Sequence, residues 1–144
     1  MKVLLDTNIL LDALQDRQPF EAAAQSILLK GQEGEIKCYF TANAATDIFF
    51  IYSKTHGSNI ANNALRFLLK TYGVVSITKE DCLNALDLPN EDFEDALVEV
   101  CAAKINADYI ITRDEEFADH ATKVAILKPI NFLKLLSHNA EKNK

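Results

Sequence analysis

The chain has 144 residues, 49% of them apolar, with few Gly and Pro and no Trp. A chain of this length buries roughly 70% of the surface its unfolded form exposes, so it folds without disulfides or a structural metal, and its composition excludes a disordered or low-complexity protein. The formal charge of −6 excludes a broad basic surface for nucleic acid; a cluster of carboxylates awaiting cations fits it, and an RNA substrate would need bound metal and a local basic patch.

Val3 to Leu5 reads as a short strand, apolar on both faces as in a parallel sheet, and it ends at Asp6. A helical pattern follows through Ile9, Leu10, Ala13 and Leu14 until Pro19 interrupts it. The pattern resumes from Phe20 to Leu29, with Gly31 and Gly34 as stop signals. Ile36 to Phe40 is a second strand. Thr41 or Asn43 caps the next helix, which carries Ala44, Ile48, Ile51 and Tyr52. Gly57-Ser58 breaks it, and Ser58 caps a helix through Ala61, Ala64, Leu65 and Leu68. Val74 to Ile77 is a third strand, and Thr78 precedes a short helix ending near Leu88-Pro89. Asn90 or Asp92 starts a helix reaching about Ile105. Tyr109 to Thr112 and Val124 to Leu127 are the fourth and fifth strands. Pro129 opens a last helix through Phe132, Leu133 and Leu136. The polar residues from Ser137 to Lys144 are expected to fray.

Strands and helices alternate throughout, which argues for a parallel α/β sheet with helices on both faces. No repeat or linker divides the chain. The expectation is one domain over residues 1–137 and a polar tail over 138–144. Met1-Lys2 leads straight into the first strand with no signal-peptide pattern, and no apolar run nears the roughly 20 residues of a membrane span. Cys38, Cys82 and Cys101 match no zinc spacing and form no even framework. They read as packing residues in a reducing, cytoplasmic setting.

In such sheets ligands bind beyond the carboxyl ends of the strands. Asp6 follows the first strand and Asp114 the fourth, so both reach the same edge. Each also has a plainer role, Asp6 as a helix cap and Asp114 as a turn residue. Asp92, Glu94 and Asp95 open a helix whose N-terminus favours acids in any case; Asp92 and Asp95, three apart, share a face. Asp47 lies in the otherwise apolar Asn43-Ala44-Ala45-Thr46-Asp47-Ile48-Phe49. Burying it is costly unless it is paired or metal-bound; the alternative is a narrow solvent face. Carboxylates are hard ligands suited to Mg2+ or Mn2+. Clustered without metal they repel, raising at least one pKa. A bound ion relieves this and supplies the chemistry of phosphodiester hydrolysis with no histidine base. His56, His120 and His138 have no useful spacing and read as surface residues.

Taken together, Val3-Leu4-Leu5-Asp6-Thr7-Asn8, Asp95-Ala96 opening a late helix, and Tyr109-Ile110-Ile111-Thr112-Arg113-Asp114 resemble the PIN domain family, over residues 2 to about 136. The resemblance implies a three-layer α/β/α sandwich around a central, mostly parallel five-stranded sheet, acting as a metal-dependent ribonuclease. It implies Asp6, Asp95 and Asp114 as metal-binding catalytic acids, with Asp47 as the fourth. That position is commonly a glutamate, so Asp47 is one methylene short and can act through water. Asp92 is a further candidate beside Asp95. Asn8 and Thr112 would orient carboxylates or a water; their plain readings are a helix cap and a strand residue. The small size resembles VapC-type toxins, which implies an antitoxin partner and a homodimer. Cations available for RNA are Arg113, Lys54, Arg66 and Lys70, each also explicable as a solvated helix face.

Two other functions compete. A PIN-like module that has lost efficient catalysis and binds RNA or protein is suggested by the shortened acid and the acidic charge. A Mg2+-dependent phosphatase or receiver-like protein also places an Asp after its first strand. Position 8 is Asn where the phosphatase pattern needs Asp, and the absence of a convincing Lys after a late strand counts against the receiver.

Overall fold

The computed structural model describes residues 1–121 and 123–143. Five strands, β1 (Lys2–Leu5), β2 (Lys37–Thr41), β3 (Gly73–Val75), β4 (Tyr109–Ile111) and β5 (Ile126–Leu127), form one sheet in the order β3-β2-β1-β4-β5. Every ladder is parallel. The helices are α1 (Thr7–Leu14), α2 (Glu21–Gln32), α3 (Ala42–His56), α4 (Ser58–Thr71), α5 (Lys79–Leu86), α6 (Phe93–Lys104), α7 (Glu115–His120) and α8 (Pro129–Lys142).

The period-two alternation of strands divides the core. Val3, Leu5, Cys38, Phe40 and Ile111 face a layer of α1, α2, α3, α4 and α8, anchored by Ile9, Leu10, Ile27, Ile48, Leu68 and Phe132. Leu4, Val75 and Ile110 face the opposite layer, where Val98, Cys101, Ala102 and Phe117 of α6 and α7 pack. Ala85 of α5 packs in turn on Ala96, Leu97 and Val100 of α6. The result is the three-layer α/β/α sandwich expected, with a sheet wholly parallel among the described residues. Among them no helix is long and apolar enough to cross a membrane.

Several boundaries differ from expectation for local reasons. β3 stops at Val75, because the chain turns away: Lys104 Nζ donates to the Ser76 carbonyl at 2.7 Å. Thr78 and Asp81 then close a reciprocal capping box on α5. Gly57, at φ 85°, takes the cap position of α4 in place of Ser58; that left-handed backbone favours glycine. Thr41 stands at the cap of α3, but its hydroxyl donates to the Asn43 side chain and not to the helix. Gly31 lies inside α2, and the chain turns at Gly34, φ 83°. The segment expected to fray stays helical to Lys142: Leu133, Leu135 and Leu136 fasten α8 to the core, and Ala140, Glu141 and Lys142 are strong helix formers. Helix α7 has no counterpart in the sequence reading, being too short for a periodic signal.

Candidate functional site

The sheet order changes direction at β1. The chain leaves it toward β2 on one side and later returns to β4 on the other. The crevice at the carboxyl ends of β1 and β4 is therefore the topological switch point, where parallel sheets bind ligands. Asp6 follows β1 and its amide donates to the Ile111 carbonyl of β4 at 3.0 Å. Asp114 follows β4.

Both caps and both site roles meet in these two residues. Asp6 caps α1, with Oδ1 accepting from the Thr7 amide at 2.8 Å. Its Oδ2 accepts from the Thr112 hydroxyl at 2.8 Å and from Asn8 Nδ2 at 3.3 Å. Asn8 Nδ2 also reaches Thr112 Oγ1, 3.4 Å away. Thr112 Oγ1 accepts from the Asp114 amide at 3.1 Å, so one buried hydroxyl ties two acids together. Asp114 caps α7, with Oδ1 accepting from the amides of Glu116 at 3.0 Å and Phe117 at 3.4 Å. Asp92 caps α6, accepting from the Asp95 amide at 3.0 Å.

The electrostatics show how these acids converge. Asp95, half-buried in the first turn of α6, has its carboxyl pushed up to about 7. Burial is the main cause, followed by the charges of Asp92, Asp6, Asp114 and Glu94. Asp6 is raised as well: burial outweighs the bonds from Thr112 and Thr7, and Asp114 and Asp92 add to it. Glu94 is raised by burial first, then by a carboxyl–carboxyl hydrogen bond to Asp47 and the charges of Asp47, Asp6 and Asp92. Thus Asp47 of α3 meets Glu94 of α6 at the edge of the same cluster. Glu94, exposed on α6, is a candidate site acid that the sequence reading left among generic helix-start acids; the pattern alone does not say which carboxyl meets Asp47.

A cleft of about 410 Å³ lies over this edge, lined by Pro89, Asn90, Glu91, Asp92, Asp95, Glu116 and His120. A larger cleft, about 790 Å³, lies elsewhere, around Thr78, Asp81, Asn84 and Lys104 between α5 and α6. The smaller one is the candidate site, because it is lined by Asp95, whose carboxyl is the one pushed up to about 7, and by Asp92 beside it. The donor set is all oxygen, and Asn8 Oδ1 is buried without a hydrogen-bond partner; both suit a hard divalent cation. Among the described residues no three His, Cys, Asp or Glu side chains are already gathered tightly enough to hold one, so binding has to draw the repelling carboxylates together.

The cations are placed less simply. Arg113 is engaged by Asp12, which accepts from its Nε at 2.7 Å and Nη2 at 3.1 Å. Its guanidinium also lies 4.2 Å from the Phe20 ring centroid. Lys54 is exposed on α3, its Nζ 4.1 Å from the Phe50 ring centroid. His56, His120 and His138 are all exposed. All three cysteines are free; burial pushes Cys38 up to about 12 and Cys101 up to about 11, so both are inert thiols.

Comparison with known proteins gives this geometry its family. No curated relative matches the sequence significantly. Solved structures do match in fold. VapBC2 of Rickettsia felis, bound to a promoter DNA fragment, is 15% identical, with a TM-score of 0.67 over 89% of this chain and 98% of that one. A toxin–antitoxin complex of Klebsiella pneumoniae is 20% identical, with a TM-score of 0.66 over 88% and 97%. VapC20 of Mycobacterium tuberculosis, a sarcin–ricin loop cleaving toxin, is 14% identical, with a TM-score of 0.66 over 85% and 98%. The family model described as PIN domain matches residues 2–116, a span that contains every acid of the site, and the chain therefore belongs to the PIN domain family.

Proposed function

We propose that this protein is an endoribonuclease that hydrolyses RNA phosphodiester bonds with Mg2+ or Mn2+, and that it is the toxin of a toxin–antitoxin pair acting in the cytoplasm. The observation that carries the reading is the convergence of Asp6, Asp95 and Asp114 on one sheet edge, with Asp95 driven up to about 7 by burial and then by its acidic neighbours. A carboxylate cluster this frustrated is poised to exchange protons for cations. PIN domains generally use divalent metals, and the fold neighbours named as toxins or toxin–antitoxin complexes support a small protein antitoxin. A homodimer belongs to the same family expectation.

Asp6, Asp95 and Asp114 are the residues that would hold the cation, with Asp47 and Glu94 at the margin and Asp92 supporting Asp95. When bound, the cation supplies Lewis-acid charge to the phosphoryl group and makes water acidic enough to attack near neutral pH. The chain itself does the rest. The Thr112 hydroxyl and the Asn8 amide fix the Asp6 carboxylate, so this one ligand is already oriented while the other acids are drawn toward it. Asp114, whose amide donates to Thr112 Oγ1 and whose Oδ1 accepts from the amides of Glu116 and Phe117, is held equally firmly. Asp47 reaches the cluster through Glu94, which supplies the length that Asp47 lacks.

Purified protein with single-stranded RNA and Mn2+ should give cleavage that chelator abolishes, and Asp6→Asn should be inactive. Cleavage that persists in Asp6→Asn would overturn the assignment. If Mn2+ fails to bind by calorimetry at millimolar concentration, the catalytically inactive binding module becomes the better reading.

Metal affinity should also depend on pH. Below pH 7 the cation must displace a proton from Asp95, so Mn2+ affinity should fall by up to about tenfold per pH unit. Above 7 the dependence should flatten. Titrations at pH 6, 7 and 8 in buffers of different ionisation enthalpy will read both the affinity and the released proton.

A further inference from the structure

We propose that Asp12 and Arg113 form an internal strut that holds the β4–α7 turn against α1, making Arg113 a positioning residue and not an RNA contact; this rests on the nuclease reading above. Asp12 lies in Leu10-Leu11-Asp12-Ala13-Leu14 and is fully buried. An ionised carboxylate there is tolerated only if well paired. Arg113 provides two parallel bonds, at 2.7 and 3.1 Å, the geometry in which guanidinium and carboxylate fit best. Arg17 adds a third cationic contact, Nη1 to Asp12 Oδ1 at 3.8 Å. The Phe20 ring supports the guanidinium, 4.2 Å away.

The location of this pair gives it a function. Arg113 stands between Thr112, whose hydroxyl donates to Asp6, and Asp114, whose amide donates back to that hydroxyl. Fixing the Arg113 side chain therefore fixes the peptide from which both hang. The same pairing consumes the Arg113 charge beside an acidic site, where a loose guanidinium would compete with the cation. The signal was present in the sequence: a lone acid in an apolar helix, as at Asp47.

The test uses Arg113→Lys, Arg113→Gln and Asp12→Asn with RNA and Mn2+, and amide hydrogen exchange on the same metal-free proteins. The strut predicts that kcat falls about 10- to 100-fold, as for residues that orient metal ligands, while KM changes by less than about threefold. Lys should not rescue, since it keeps the charge but loses the fork. The amides of Asp114, Glu116 and Phe117 should exchange at least about tenfold faster, while β1 stays protected. Wild-type kcat in Arg113→Lys, or a raised KM with unchanged kcat in Arg113→Gln, would overturn the proposal and make Arg113 an RNA contact. Should Asp12→Asn not fold, Arg113→Lys decides alone. If the wild-type protein cuts no RNA, the nuclease reading fails separately, and hydrogen exchange still decides the strut.

Discussion

Asp95→Asn is expected to abolish RNA cleavage and, in chelator, to raise the melting temperature at pH 8. The loss of rate should be on the order of 10²–10³-fold or more, the scale for removing a preorganised charge from an active site. The gain in stability follows from the folded carboxyl standing at about 7 against an ordinary 3.8. Below about pH 4 both folded and unfolded states keep the proton. Between about 4 and 7 the unfolded state has released it while the folded state holds it, so stability falls as pH rises through that window. Above 7 the folded protein carries an ionised carboxylate opposed by burial and by Asp92, Asp6, Asp114 and Glu94. The helix N-terminus favours an acid at this position, but burial and, after it, four neighbouring carboxylates outweigh it. Asparagine keeps the shape without the charge. Calorimetry in EDTA should show a clear gain at pH 8 that shrinks as the pH falls and is small by about pH 4, where both states hold the Asp95 proton. Equal melting temperatures at both pH values would mean that the cluster is not frustrated, and undiminished cleavage would remove Asp95 from the site.

Phe117→Ala should cost about 3–5 kcal/mol, the usual range for emptying a buried aromatic site. Phe117 is fully buried and joins Leu4, Ile110 and Val98 in the core beneath α6 and α7. A domain of this kind holds only about 5–15 kcal/mol in total, so urea unfolding should show a much lower midpoint. The effect extends to the site, because Phe117 anchors the short helix that Asp114 caps. Fully folded Phe117→Ala protein, studied at low temperature, should therefore also cleave more slowly than its folded fraction predicts. An unchanged unfolding midpoint would show that α7 does not depend on this anchor.

These two residues also mark where sequence reasoning ended. Asp95 was legible because hydrophobic spacing from Leu97 to Ile105 located its helix, and acids at a helix start are conspicuous. Phe117 was not, because six residues of α7 make less than two turns and their pattern carries no period. Asp47 was legible as a charged residue in an apolar helix, but its partner Glu94 was not: three acids at one helix start look alike until the fold brings one of them beside α3. Arg113 reads in sequence as a cation beside an acid, and only the fold brings Asp12 to it from about a hundred positions away.

The sequence by itself determined the alternation of strands and helices, the parallel sheet, and the placing of Asp6 and Asp114 at its carboxyl edge, because periodicity and chain reversal are local and additive along the chain. The tertiary structure alone decided which carboxyls share a field, which cation is already spent on a buried acid, and which hydroxyl ties Asp6 to Asp114. Those outcomes depend on distance and desolvation between residues far apart in sequence, and on the order in which β1 and β4 lie side by side.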